Sequence, residues 1–153
     1  MVSSIIIRRA DARERKALEA LQARASLANA GDRAAILAHP EAIDIPDGQI
    51  ETGRVFVAEE SGSVLGFAVI LPRGDGDMEL DGLFVEPSSW DRGIGRRLVE
   101  HCAQLARTAG ATTLHVLGNP HAEGFYLRCG FARSGIAETR FGPGLLFRRS
   151  LTG

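Results

Sequence analysis

The sequence predicts a single α/β domain built on a mixed, mostly antiparallel sheet of about seven strands with about four helices. Three observations carry this. Short apolar runs of strand length alternate with stretches of helical period. Two neighbouring runs, "RVFVAEE" and "SVLGFAVIL", flank "SG" and read as an antiparallel hairpin. A strand, a helix and another strand follow one another between residues 78 and 117, which implies a parallel pair joined by a crossover helix.

The bulk properties agree. A length of 153 residues suits one domain, 1–153, with enough chain to bury a core. A hydrophobic content of 44% argues against disorder. A net charge of -1 gives no pull toward nucleic acid or anionic membranes. The longest apolar runs, such as "VLGFAVIL", are too short to span a bilayer. The opening "MVSSIIIRRADARERK" turns charged after three isoleucines and does not read as a signal peptide. Cys102 and Cys129 form no spaced ligand set. They read as buried free thiols in a cytoplasmic protein, and a disulfide between them is disfavoured.

The elements follow in order. "SIIIRRA" is a first strand. Residues 11 to 28 form a helix capped by Asp11, with a stripe of Leu18, Leu21, Ala25 and Ala28. Gly31 and Asp32 interrupt the chain before a short helix, "RAAILA". "HPEAIDIPDGQIETG" is a loop. The hairpin strands after it are apolar on both faces and belong inside the sheet. "RGDGD" is a turn and "MELDGLFVE" a strand. Residues 93 to 109 form a helix with Ile94, Leu98, Cys102, Leu105 and Ala109 on one face, closed by Gly110. "TTLHVL" is a strand. Asn119 then caps a helix that has Pro120 at its first position and ends at Gly130. "FARSGIAETR" and "GLLFRRSL" form a last hairpin.

The chemically telling stretch is "LFVEPSSWDRGIGRRLVEHC". It places two glycines and several arginines at a strand-to-helix turn. Amides at a helix start are unpaired, and the helix dipole favours negative charge there. Glycine lets a phosphate approach the main chain. Arg92, Arg96 and Arg97 add positive charge. The physical expectation is a phosphate or pyrophosphate; the plain alternative is a tight turn before a solvated helix face. Two common phosphate motifs do not fit. The P-loop's Gly-Lys-Ser/Thr is missing, and Leu98 stands where a dinucleotide fingerprint needs its third glycine. "DMELDG" begins like a calcium loop but fails at Glu79 and Ser88, so no metal is expected.

"LDGLFVEPSSWDRGIGRRLVEHC" followed by "LHVLGNPHAEGFYLRCGF" resembles the core of the GNAT superfamily of acetyl-CoA-dependent N-acetyltransferases. That family's pyrophosphate loop reads Q/R-x-x-G-x-G/A. Here it reads Trp90-Asp91-Arg92-Gly93-Ile94-Gly95, with Trp90 in place of the usual Gln or Arg. Asn119, Pro120, Ala122, Phe125, Tyr126, Gly130 and Phe131 fall at the spacing of the family's second motif.

The resemblance implies a GNAT-like acyl-CoA N-acyltransferase fold in which the parallel pair is splayed. It implies that acetyl-CoA lays its pantetheine arm along Leu83, Phe84 and Val85. The main chain from about Arg92 through Gly93, Ile94 and Gly95 to Arg96 would hold the pyrophosphate. Asn119 would contact the arm. It further implies a single ternary complex in which an amine attacks the thioester directly.

Such chemistry needs the amine deprotonated, since an alkylammonium has a pKa near 10. It also needs the oxygen stabilised and the departing thiolate protonated. Tyr126, the chain's only tyrosine, matches the family's general acid. A backbone N–H near Phe84 or Val85 is the expected oxyanion donor. Glu79 shares a strand face with Asp81 and lies where some members keep a catalytic glutamate. It is a candidate base, directly or through water; a solvated or amine-steering pair is the other reading. His115 and His121 read as structural or exposed.

In the family the acceptor site forms from the first helices, the loop after them and the last hairpin, here residues 19 to 52 and 138 to 145. Glu41, Asp44 and Asp47, with Glu79 and Asp81, hint at a cationic amine. The expectation is acetyl transfer to a primary amine of a small molecule or peptide, with no nucleic-acid or membrane partner and a homodimer left open. The rivals are a non-catalytic acyl-CoA-sensing module and an enzyme for a longer acyl group.

Overall fold

The computed structural model describes residues 4–46, 48–140 and 142–152. Seven strands are present: β1 (Ile5–Arg9), β2 (Val55–Glu60), β3 (Ser63–Pro72), β4 (Met78–Val85), β5 (Thr113–Gly118), β6 (Ala132–Thr139) and β7 (Gly142–Ser150). They form one sheet in the order β1-β2-β3-β4-β5-β7-β6. The helices are α1 (Arg15–Ala28), α2 (Ala30–Ala38), α3 (Ile94–Thr108) and α4 (Glu123–Arg128). β4 and β5 are parallel, while the β1/β2, β2/β3, β5/β7 and β6/β7 pairs are antiparallel. The mixed sheet and the parallel pair are as the sequence predicts. Parallel pairing runs from Met78↔Leu114 to Leu80↔Val116, and β4 itself continues to Val85.

The chain packs as two compact units. One comprises Met1–Val69 and Gly82–Leu98, the other Ile70–Asp81 and Val99–Gly153. β3, β4 and α3 each run from one unit into the other.

In the first unit, Asp11 opens the helical segment with a capping box. Its carboxylate accepts the Arg13 N–H at 2.8 Å, and Glu14 accepts the Asp11 N–H at 2.8 Å. A 3-10 turn over Ala12–Glu14 comes first, and α1 follows. Leu18, Leu21 and Ala25 are buried as expected, but Ala28 is exposed and Ser26 is buried in its stead. α2 begins earlier than the sequence suggests. Asn29 Oδ1 accepts the Gly31 N–H at 3.3 Å, so Gly31 and Asp32 sit in the first turn and do not interrupt the chain. The loop over residues 39–53 contains a short 3-10 turn, Pro40–Ala42. Val55, Phe56, Val57 and Ala58 of β2 are all buried, as an inner strand without polar alternation should be.

In the second unit, Asp77 ties the start of β5 to the start of β4. One carboxylate oxygen accepts the N–H groups of Thr112 and Thr113, each at 3.2 Å, and the other bonds His115 Nε2 at 3.0 Å. These bonds hold the Asp77 carboxyl below its ordinary pKa, the His115 bond most of all, against an opposing effect of burial. The clamp fixes the register in which Met78 faces Leu114.

Ile94, Leu98 and Cys102 of α3 are buried as predicted, but the core side extends elsewhere than the rest of that line. Val99, Cys102, Ala103 and Ala106 are buried, whereas Leu105 is half-buried and Ala109 exposed. Gly110, with φ of +90°, ends the helix as expected. Asn119 adopts the extended conformation of a cap residue, yet its side chain makes no capping bond. A 3-10 turn over Pro120–Ala122 precedes α4, which ends at Arg128. Cys102 and Cys129 are free and buried. Burial pushes the Cys102 thiol up to about 12.

Candidate active site

The first unit contains a strand end, a loop and a helix start that carry candidate residues. Trp90 anchors the loop. Its indole Nε1–H donates to the Val85 carbonyl at 2.8 Å, which ties the loop back to the end of β4. The indole has one donor and no charge, and that donor is used within the protein. Asp91 and Gly93 take left-handed backbone, with φ of +67° and +78°. The first helical bond of α3 joins the Arg97 N–H to the Gly93 carbonyl at 3.1 Å. The amides of Ile94, Gly95 and Arg96 therefore precede the helical ladder, at the positive end of the helix dipole.

The three arginines are not equivalent. Arg92 pairs with Glu60 at 2.8 Å, and that bond raises its pKa. Arg97 donates to the Ile5 carbonyl at 2.8 Å. Arg96 is exposed and has no partner among the described residues.

Leu83, Phe84 and Val85 of β4 are half-buried beside β3. Gly66 of β3 makes their approach possible. A Cβ built on it would lie 2.8 Å from the Phe84 carbonyl oxygen and 3.4 Å from the Val85 Cα. Register with β2 slips at the same place: Ala58 faces Gly66 and Glu59 faces Val64, which leaves Leu65 as an extra residue. The Leu65 carbonyl then accepts the Glu86 N–H at 2.7 Å. The Phe67 and Phe84 rings pack 5.3 Å apart.

The second unit has its own candidate side chains. Tyr126 is buried, only 8% exposed, among Phe125, Phe131 and Phe147, with ring centroids 5.2, 5.6 and 5.3 Å away. Its hydroxyl has no hydrogen-bond partner among the described residues. Burial, reinforced by negative charge at Cys129, raises its pKa, so the phenol keeps its proton through the neutral range.

Glu79 is half-buried on β4 and faces His115 across the parallel pair. Asp81 keeps much of its surface exposed, yet crowding by neighbouring atoms lifts its carboxyl above the ordinary value. Asn119 is exposed, and its carbonyl accepts the Ala122 N–H at 2.9 Å. His115 is structural, through Asp77, and His121 is exposed.

The metal-ligating grouping among the described residues is Asp75, Asp77 and His115, whose ligand atoms lie within 4.8 Å of one another. Asp77 is engaged as described above. Asp75 accepts from the Asp77 N–H at 3.0 Å and from Arg73 Nε at 3.1 Å. This is the bonding of a turn clamp. Of the loop carboxylates, Glu41 and Asp44 are exposed, and Asp47 lies outside the described residues, as does residue 141 of the expected acceptor stretch 138–145. No helix among the described residues is long and apolar enough to cross a membrane.

Comparison with known proteins bears on this arrangement. Residues 16–131 match the model of the acetyltransferase (GNAT) family. A segment of 59 residues is 42% identical to the peptidyl-lysine N-acetyltransferase YjaB of Salmonella typhimurium and covers 39% of either chain. The match thus spans about two fifths of that relative's length. The fold resembles that of a GCN5-related N-acetyltransferase from Rhodopseudomonas palustris, at 21% identity and a TM-score of 0.77 over 98% of both chains. It also resembles yncA of Salmonella typhimurium, a structure with acetyl-CoA, at 22% identity and a TM-score of 0.70, covering 99% of this chain and 96% of that one. The matched region takes in the α3 loop and the Asn119–Phe131 motif, and the chain belongs to the GNAT family of acetyltransferases.

Proposed function

We propose that residues 1–153 act as one N-acetyltransferase domain that moves an acetyl group from acetyl-CoA to a primary amine. The observation that carries this is the start of α3. Its Ile94, Gly95 and Arg96 amides and the unpaired Arg96 offer an anion what a pyrophosphate needs, on the loop whose glycines match the family. Family membership and the yncA structure with acetyl-CoA support the choice of cofactor. Leu83, Phe84 and Val85 would hold the pantetheine arm, with Asn119 as a further contact. The amides of Gly93 to Arg96 and the side chains of Arg92 and Arg96 would hold the pyrophosphate.

The amine nitrogen attacks the thioester carbonyl carbon. A C–N bond forms, the C–S bond breaks, and the oxygen's passing negative charge is met by a main-chain N–H near Phe84 or Val85. Tyr126 gives its proton to the departing sulfur; the phenol holds that proton through the neutral range, as an ordinary tyrosine does, and burial makes it the weaker acid. Glu79, directly or through a water, takes the proton the amine must lose. The similarity to a peptidyl-lysine N-acetyltransferase makes a lysine side chain the first acceptor to test.

The experiment is release of coenzyme A across a panel of amines that includes lysine peptides, repeated with longer acyl thioesters. Amine-dependent release from acetyl-CoA is the expected result. Tight binding without release under any amine would favour a sensing module, and release only from longer thioesters would favour a different acyl donor.

A further inference from the structure

Tyr126 is held by more than its three phenylalanines. Gly118 ends β5 directly before Asn119, and the tyrosine ring lies against it. A Cβ built on Gly118 would sit 2.8 Å from Tyr126 Cε2, 3.3 Å from Cδ2 and 3.4 Å from Phe147 Cε2. Cε2 is the ring carbon next to the one bearing the hydroxyl. The first of these distances is too short for any real contact, so a side chain here forces the ring to move. The ring has little freedom to yield, because Phe147, Phe131 and Phe125 all stand within 5.6 Å of it, centroid to centroid.

Backbone conformation does not explain the glycine. Gly118 lies outside the left-handed region that only glycine enters readily, and it pairs with Leu145 in an ordinary antiparallel ladder. An alanine could adopt its φ and ψ. What the position requires is the empty space.

We infer that Gly118 is a positioning residue for the reaction: its missing side chain leaves the slot that sets where the Tyr126 hydroxyl stands. This rests on the reading of Tyr126 as the proton donor. Proton transfer is sensitive to placement, and a displacement of about 1 Å can cost on the order of a hundredfold in rate. A methyl group at 118 shifts the phenol by a fraction of that.

The test is a double-mutant cycle in the full chain, with acetyl-CoA and one accepted amine. Gly118→Ala should lower turnover by about tenfold while acetyl-CoA affinity stays within about twofold. In a Tyr126→Phe background the same alanine should cost less than about twofold, because the hydroxyl it misplaces is gone. Since the chain has one tyrosine, a sample labelled at the tyrosine Cζ alone gives a single signal. Gly118→Ala should move that signal.

Full turnover in Gly118→Ala, an unmoved ring signal, or an equal loss in both backgrounds would each overturn the inference. Full turnover in Tyr126→Phe alone would instead overturn the assignment of the acid. If Gly118→Ala fails to fold, Phe147→Leu changes another side chain packed against the Tyr126 ring. It should show the same loss and the same disappearance of that loss without the hydroxyl, and an equal loss in both backgrounds would again overturn the inference.

Discussion

The two units offer different kinds of chemistry. The unit that contains β2 and the start of α3 presents main chain: the Ile94, Gly95 and Arg96 amides and the Leu83–Val85 strand end. Its side chains mostly steady that backbone, as when Trp90 holds the Val85 carbonyl and Arg97 the Ile5 carbonyl. The unit that contains β5 and α4 presents side chains: the Tyr126 phenol, its proton secured by burial, and the Glu79 carboxylate. Both rely on a glycine for space. Gly66 admits the Phe84 carbonyl, and Gly118 admits the Tyr126 ring. A cofactor common to many acceptors is well served by main-chain contacts, because backbone geometry survives most sequence changes. Proton transfer needs a particular functional group and so a particular residue.

This contrast is sharpened first by Tyr126→Phe, which deletes one oxygen and little packing. Turnover should fall by about a hundredfold with acetyl-CoA affinity nearly unchanged. Because burial raises the phenol's pKa, the wild-type profile should show no alkaline loss from this group below its ordinary value near 10. A turnover decline centred well under that pH and absent in Tyr126→Phe would contradict the assignment.

Next comes Gly95→Val in the first unit, where the glycine is buried at the helix start. Acetyl-CoA affinity should drop by about tenfold or more in a variant shown to be folded. Calorimetric titration decides this, and unchanged affinity would reduce the loop to a turn.

A smaller and pH-dependent effect is expected for Glu79→Gln. The deficit should be greatest at low pH, where the amine needs help losing its proton, and should fade toward pH about 10. A deficit of constant size across a pH–rate profile would make Glu79 a substrate-positioning group.

The smallest effect is that of Trp90→Phe. It loses one hydrogen bond to Val85, worth about 1 kcal/mol of stability, while acetyl-CoA affinity stays within about threefold. A much larger loss in the same titration would mean that the indole itself meets the cofactor.

Much of this was legible in the sequence because it is local. The Asp11 cap, Gly110 at a helix end and the Gly93-Ile94-Gly95 turn are decided by neighbours in the chain. The hairpins follow from turn residues between strand-like runs, and the parallel pair follows from an intervening helix. Where local reading failed, a competing neighbour was the cause. Asn29 captured the start of α2, so Gly31 and Asp32 joined the helix. Ala109 and Leu105 fit a helical stripe, but the buried face of α3 keeps Ile94, Leu98 and Cys102 and widens toward Val99, Ala103 and Ala106 instead.

The order of elements, the glycine loop and the motif around Tyr126 were thus fixed by sequence alone, since each depends on residues a few positions apart. Only the tertiary structure decided which arginine stays unpaired and that Asp77 sets the β4/β5 register. It alone decided that Gly66 and Gly118 are spaces for groups 18 and 8 residues further along, Phe84 and Tyr126. The reason is physical. A missing Cβ has no signature in a sequence until the chain returns and something occupies the place where it would have been.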